Sequence, residues 1–348
     1  MSDYFKRVQA RTQTRFWINN VTNEEADMAI AAGASGCTQN PSYTWKMITH
    51  PVAKESEHAL SVLKAIIREE KDDTKALVKF QRELVAEIAK HFLPMWEKSG
   101  GSDGYVSIQA DPFNETYDNI METAHFNREA GPNIMIKIPA TGDGIKAIEQ
   151  CTREGIPTNC TEVMSLAQTI DVIDAYERGA KGLANPPVSY ISHIAGIFDQ
   201  YLGKYVKAEG IDVSADALYL AGKICAQKVR EYMDIRRTPM RMINGGARGL
   251  QHFTEWVGGD VANTINWIGT ADKLIEQDGP VVSRFDAPVP AFVLDELLTK
   301  LKPFSQAYFY NGLSIDEYEE FGPVELFRSS FCDSWSNALK KIKELRNN

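Results

Sequence analysis

NIMIKIPATGDG, Asn133 to Gly144, is the stretch from which the fold of this chain can be read. Five of its first seven residues are apolar or proline, so it reads as a short buried strand, yet Lys137 sits in its middle. Alternation at period two sets Ile134, Ile136 and Ile138 on one face and Met135, Lys137 and Pro139 on the other. A strand covered on both faces belongs to a parallel sheet, and there the lysine points into a packed interior. An ammonium taken out of water is costly unless it is paired or deprotonated. Two readings of Lys137 follow. Its stem packs while its head reaches solvent, or its pKa is lowered by burial and the amine is ready to attack a carbonyl and form a Schiff base.

Seven further strand-like segments flank it: RFWINN (15–20), SGCTQNPS (35–42), YVSIQADP (105–112), IPTNCTEV (156–163), GLANPPVSY (182–190), RMINGG (241–246) and ANTINW (262–267). Helical patterns lie between them. The first opens with Thr22 and Glu25 at capping-box spacing. Others cover 57–70, 74–98, 115–130, 144–154, 165–179, 194–207, 215–234, 250–257 and 271–277, and Pro41 suits the first turn of the helix after the second strand. Eight strands alternating with helices imply parallel pairing through right-handed crossovers, and that number fits a closed barrel better than an open sheet. The expected class is α/β, a single-domain (β/α)8 TIM barrel over 1–283. Residues 284–348, with amphipathic patterns in SIDEYEEF and SWSNALKKIKEL, are expected to form a C-terminal helical extension packed on it.

Composition narrows the function. A hydrophobic content of 43% in 348 residues supports a large core, and a net charge of −9 with mixed signs argues against nucleic acid or an anionic membrane as partner. The N-terminus has no apolar run of signal-peptide type, and no stretch of roughly eighteen apolar residues suggests a membrane span. Cys37, Cys151, Cys160, Cys225 and Cys332 are odd in number with no CxxC, which fits reduced thiols in a cytoplasmic protein. The six histidines show no metal-ligand spacing, and neither GxGxxG nor a P-loop is present, so no metal and no cofactor is expected. The expected partner is a small molecule, and the surface composition is compatible with a homo-oligomer.

In such a barrel the active site lies at the C-terminal ends of the strands. The strand assignments put Asn19 at the end of the first strand, Asn40 after the second, Gln109 and Asp111 on the third, Lys137 on the fourth, and Asn159 with Thr161 on the fifth. Inward polar side chains on several strands make a poor core and a reasonable carbohydrate site.

These motifs resemble the transaldolases of the transaldolase and fructose-6-phosphate aldolase group. INN at 18–20, QNPS at 39–42, SIQADP at 107–112, IKIPAT at 136–141 and EGIPTNCTEVMS at 154–165 keep that family's order of LDN, TNPS, VEVDP, IKIPAT and EGINVNVT motifs over residues 15 to 280. The resemblance implies that Lys137 is the Schiff-base lysine and that Asn159 and Thr161 position a water. It further implies that Asn40 contacts substrate and that Arg248 of NGGAR holds a substrate phosphate, with Gly245 and Gly246 allowing backbone N–H groups near the anion. Three positions depart from the family pattern. Asn19 replaces the acid/base aspartate, Gln109 replaces a glutamate, and His193 stands where a second phosphate arginine is expected. An amide cannot exchange a proton as a carboxylate does, which leaves Asp111, Tyr190 and His193 as candidates for that step.

The function implied is a class I transferase that moves a three-carbon ketol unit from a ketose or ketose phosphate to an aldehyde, as in the pentose phosphate pathway. Gln109, shared with the aldolase branch, admits a Schiff-base aldolase instead. Loss of both carboxylates admits a non-catalytic sugar-phosphate-binding protein.

Overall fold

The computed structural model describes residues 3–347. Its strands are β1 (Arg15–Asn19), β2 (Cys37–Gln39), β3 (Val106–Gln109), β4 (Ile134–Pro139), β5 (Thr158–Val163), β6 (Ser189–His193), β7 (Arg241–Asn244) and β8 (Ala262–Ile265). They pair in parallel in chain order, and β8 returns to β1 to close the barrel. Around them run α1 (Tyr4–Arg11), α2 (Asn23–Ala32), α3 (Ser42–Ile48), α4 (Ala53–Glu69), α5 (Asp73–Lys98), α6 (Tyr117–Arg128), α7 (Gly142–Arg153) and α8 (Leu166–Ala180). The circuit continues with α9 (Ala195–Glu209), α10 (Ala215–Arg236), α11 (Gln251–Thr254) and α12 (Asp272–Gln277), and ends with α13 (Ala291–Lys300), α14 (Lys302–Tyr308) and α15 (Gly322–Asn347). No helix among the described residues is long and apolar enough to cross a membrane.

Local chemistry fixes where strands give way to helices. Thr22 and Glu25 form the expected reciprocal capping box of α2. Thr141 and Ser165 cap α7 and α8 almost at once after β4 and β5, so both crossovers begin tightly at the mouth end. Gly144 is required there, because a Cβ would stand 1.8 Å from the carbonyl oxygen of Pro139.

The core divides into two. A large outer cluster fills the space between strands and helices, while Trp17, Tyr105, Met135, Tyr190, Ile243 and Ala262 form a separate cluster inside the barrel. Met135, Tyr190 and Ala262 are among the first two residues of their strands and Tyr105 just precedes β3; with Trp17 and Ile243 they make an apolar floor, above which the inward positions turn polar.

Three expectations are corrected. The sixth strand is Ser189–His193, not 182–190, because Pro186 and Pro187 lack the N–H groups that a central strand must donate on both sides. SIDEYEEF is not a helix; it yields one short 3-10 turn, Ile315–Glu317, capped by Ser314 and Glu317. The helix expected over 250–257 shortens to Gln251–Thr254, while α13 and α14 were not anticipated. Helix α15 packs on α3, α4, α5 and α9 and so lies across the mouth end of the barrel.

Candidate active site

Lys137 stands in register with Gln109 on β3 and Asn159 on β5, so the three side chains share one inward-facing row. It is only 6% exposed. Burial pushes the amine down from 10.5 to about 8, against the opposing pull of Glu162 and Glu115, which favour the ammonium. Phe327 and Phe331 of α15 place their rings 5.8 and 5.7 Å from Nζ and cover it from above. Ring faces attract an ammonium, by about 0.5–1 kcal/mol where water remains near. Desolvation outweighs that attraction here, since the net displacement is downward.

Lys137 lines a cavity of about 390 Å³ at the C-terminal mouth. The walls bring in Asn19, Asn40, Ser192, Arg248, Asn266 and Phe331, among others. Asn19 Nδ2 donates to Asn266 Oδ1 at 2.9 Å, and its Oδ1 accepts from Thr38 Oγ1 at 2.9 Å, so the amide is held in one orientation. Asn40 Oδ1 accepts from Asn20 Nδ2 at 2.9 Å and from the Ser42 amide at 3.1 Å. At the rim, Arg248 Nε donates to Gln200 Oε1 at 2.7 Å and its Nη1 to the carbonyls of Gly246 and Ala247. Lys46 also lines the cavity and donates to the carbonyl of Asn20 and to Glu25.

Asn159, Thr161 and Gln109 are buried in the wall beside Lys137. Asn159 accepts from Ser192 Oγ at 2.6 Å and donates to Ser107 Oγ at 3.2 Å. Three other expected site residues do not come to the mouth. Tyr190 is the second residue of β6 rather than its last, so it belongs to the apolar floor, 4.9 Å from the Trp17 ring, and its hydroxyl accepts from Arg241 Nη1 at 3.1 Å. His193 follows the inward Ser192 and therefore points outward, behind the barrel wall and 6.4 Å from the Trp256 ring. Asp111 lies beyond β3 on the side facing α6, where its carboxylate accepts from the Phe113 amide at 2.9 Å. None of the three lines the mouth cavity, although Asp111 shares a second, small cavity beside α6 with Lys137 and Gln109.

Residues the sequence reading passed over complete the site. Ser192 replaces its neighbour His193 at the mouth. Glu162 is fully buried on β5, and its Oε1 accepts from Gln109 Nε2 at 2.9 Å. Its backbone is left-handed, with φ 60°, at the irregular register between β5 and β6. Only the single charge in a buried strand, CTEVM at 160–164, hinted at it. Phe327 and Phe331 lie far along the chain, and their spacing signals no more than one face of a helix.

A family profile described as Transaldolase/Fructose-6-phosphate aldolase matches residues 16–297. The chain is 26% identical to the transaldolase of Thiobacillus denitrificans over 270 residues, 73% of this chain and 74% of that one. It is 37% identical to transaldolase 2 of Nostoc sp. over 157 residues, 44% of this chain and 38% of that protein. With transaldolase 2 of Nostoc punctiforme the identity is 32% over 197 residues, 52% of this chain and 49% of the other. The alignments thus span about three quarters of the first relative and half or less of the two Nostoc proteins.

Proposed function

The chain belongs to the transaldolase/fructose-6-phosphate aldolase family, and from that premise we propose that Lys137 is the nucleophile of a Schiff-base ketol transfer. It is a transferase of the transaldolase type. The finer reaction proposed is capture of a ketose at C2, cleavage of the C3–C4 bond, and delivery of the retained three-carbon unit to an aldehyde in the cytoplasm.

The observation that carries this reading is one amine, 6% exposed and lowered to about 8, at a cavity whose wall brings together amides and hydroxyls (Asn19, Asn40, Thr38, Ser192) with the charged Arg248, Lys46 and Glu25. Amides and hydroxyls suit a polyol, because they donate and accept without adding charge. The neutral amine adds to C2 and water leaves; a base then takes the C4 hydroxyl proton, C4 departs as an aldehyde, and the iminium accepts the C3–C4 electron pair to become an enamine. The enamine then attacks the acceptor aldehyde, and hydrolysis frees Lys137. Asn40 and Asn19 are placed to hold sugar hydroxyls. Arg248, with Lys46 on the same cavity wall, is placed to meet an anionic end. Charge-assisted hydrogen bonds of that kind contribute about 1.5–3 kcal/mol each.

Gln109 favours a second reading, in which the fragment is released rather than transferred; product formation without an acceptor aldehyde would decide for it. The proposal as a whole is tested by borohydride reduction in the presence of fructose 6-phosphate or a related ketose. A sugar-derived mass should appear on the peptide that contains Lys137 and vanish in Lys137→Met. Absence of any adduct across a panel of phosphorylated and free ketoses overturns the reading.

A further inference from the structure

Imine chemistry at Lys137 needs a group that gives and takes a proton beside its nitrogen. The carbinolamine hydroxyl departs only once protonated, and hydrolysis of the imine needs a base for the incoming water. Amides occupy positions 19 and 109, and Tyr190 and His193 face away from the cavity. Asp111 shares a small cavity with Lys137 but accepts from the Phe113 amide, and Glu25 on the mouth cavity is taken up by Lys46 and the Thr22 cap. The carboxylates that act electrostatically on Lys137 are Glu162 and Glu115.

Glu162 lies on the neighbouring strand, one residue past Thr161. Two features of it are costs that folding does not need. A left-handed backbone at a non-glycine residue costs about 1–3 kcal/mol, and a carboxylate with no exposure loses its hydration. Its neighbours Cys160, Val163 and Met164 are apolar and fully buried, so an aliphatic side chain there would satisfy the core. Oε1 is fixed by Gln109 Nε2, whereas Oε2 has no partner among the described residues. Gln109 Oε1 and Thr161 Oγ1 are likewise buried without partners. These three unanswered oxygens belong to the two strands that flank Lys137, and a water needs two to four such partners.

We propose that Glu162 is the proton-carrying carboxylate of this enzyme, protonating the carbinolamine hydroxyl at Lys137 through Oε2, directly or by way of a water held on Gln109 Oε1 and Thr161 Oγ1. The proposal rests on the Schiff-base reading above. In the forward step the C2–O bond breaks and the hydroxyl leaves as water with the proton of Glu162. The nitrogen lone pair closes the C=N bond, and an iminium cation and a Glu162 carboxylate remain. Hydrolysis runs these transfers backwards, with Glu162 taking a proton from the attacking water. Burial raises Glu162, which helps it hold a proton to give, while the hydrogen bond from Gln109 and the charges of Lys137 and Arg328 pull the other way and Glu319 adds to the rise.

The same geometry accounts for the amide at 109. A glutamate there would face Glu162 across 2.9 Å as a like charge, whereas a glutamine donates to it. In effect the carboxylate sits on β5 and its hydrogen-bond donor on β3. Burial and the neighbouring Glu162 raise Glu115 as well, against Arg328 at 4.0 Å, but Glu115 comes from the loop before α6, whereas Glu162 lies on the strand next to Lys137 and is held there by Gln109.

The test compares Glu162→Gln with the exchanged pair Gln109→Glu/Glu162→Gln, which keeps one carboxylate and one amide in contact. The readout is the rate of borohydride-trapped adduct at Lys137 from pH 5 to 9, alongside thermal melting of each variant. General acid–base catalysis contributes roughly 100-fold to 10,000-fold, so E162Q should trap at least about 100-fold more slowly and lose one limb of the pH profile. The exchanged pair should recover to within about tenfold of wild type, an outcome that a purely structural role would not produce. Wild-type rate and profile in a folded E162Q would overturn the assignment, as would an exchanged pair that folds yet is no faster than E162Q. A wild-type protein that forms no adduct at all would instead bring down the Schiff-base reading, and this assignment with it.

Discussion

Replacing Phe331 by alanine removes from Lys137 one of the two rings that lie within 5.8 Å of its nitrogen. The consequence can be worked from the amine's protonation. Lowering its pKa from 10.5 to about 8 raises the neutral fraction at pH 7 from a few parts in ten thousand to roughly one tenth, a gain of about 300-fold, equivalent to about 3 kcal/mol. The gain comes from exclusion of water, and Phe331, 2% exposed, supplies part of that exclusion. Water admitted on one side should restore about half of the displacement and move the amine to about 9, lowering the neutral fraction at pH 7 about tenfold. Loss of the ring's attraction for the ammonium works in the opposite sense but is worth only about 0.5–1 kcal/mol. The assay is competitive labelling of Lys137 with dinitrofluorobenzene as a function of pH, read by peptide mass, which requires no substrate. Truncation of a buried Phe costs about 3–5 kcal/mol, so a melting curve must accompany it. A labelling midpoint near 10.5 in the wild type, or one that does not rise in Phe331→Ala, refutes the argument.

Two further predictions concern residues around the site. Burial holds His193 near 4, while its ordinary value is 6.5. Between those values the unfolded chain binds a proton that the folded chain does not, so stability falls as pH drops through this window, by about 2–3 kcal/mol at pH 4.5. In His193→Leu the difference in unfolding free energy between pH 7 and 4.5, measured by urea titration, should shrink by that amount; an unchanged difference contradicts it. Gly246→Ala puts a Cβ on a residue with φ 72° and 2.7 Å from Ile194 Cγ2, whereas Gly245→Ala meets only the flexible end of that side chain at 3.1 Å. The first should cost about 1–3 kcal/mol and the second much less; equal melting temperatures would show that the loop carrying Arg248 is not strained as described.

Much of the fold was written locally. The Thr22–Glu25 box and the repeat of strand and helix depend on near neighbours, and the repeat pointed to a barrel; the Thr141 and Ser165 caps that the structure adds are local in the same way. The one strand misplaced was also legible, since Pro186 and Pro187 cannot pair inside a closed sheet. The error was consequential: moving β6 towards the C-terminus sends Tyr190 from the mouth to the floor, and puts Ser192 rather than His193 inward.

From the sequence alone came a lysine in a strand covered on both faces, at the mouth end of a barrel, because burial and alternation are properties of a few consecutive residues. How dry that lysine is was decided only in three dimensions, by rings at 327 and 331 that arrive on α15 nearly two hundred residues later. The orientation of Glu162 was likewise decided there. Period-two alternation cannot foresee a left-handed residue at a bulge, and its hydrogen bond joins β5 to β3 across the strand that carries Lys137.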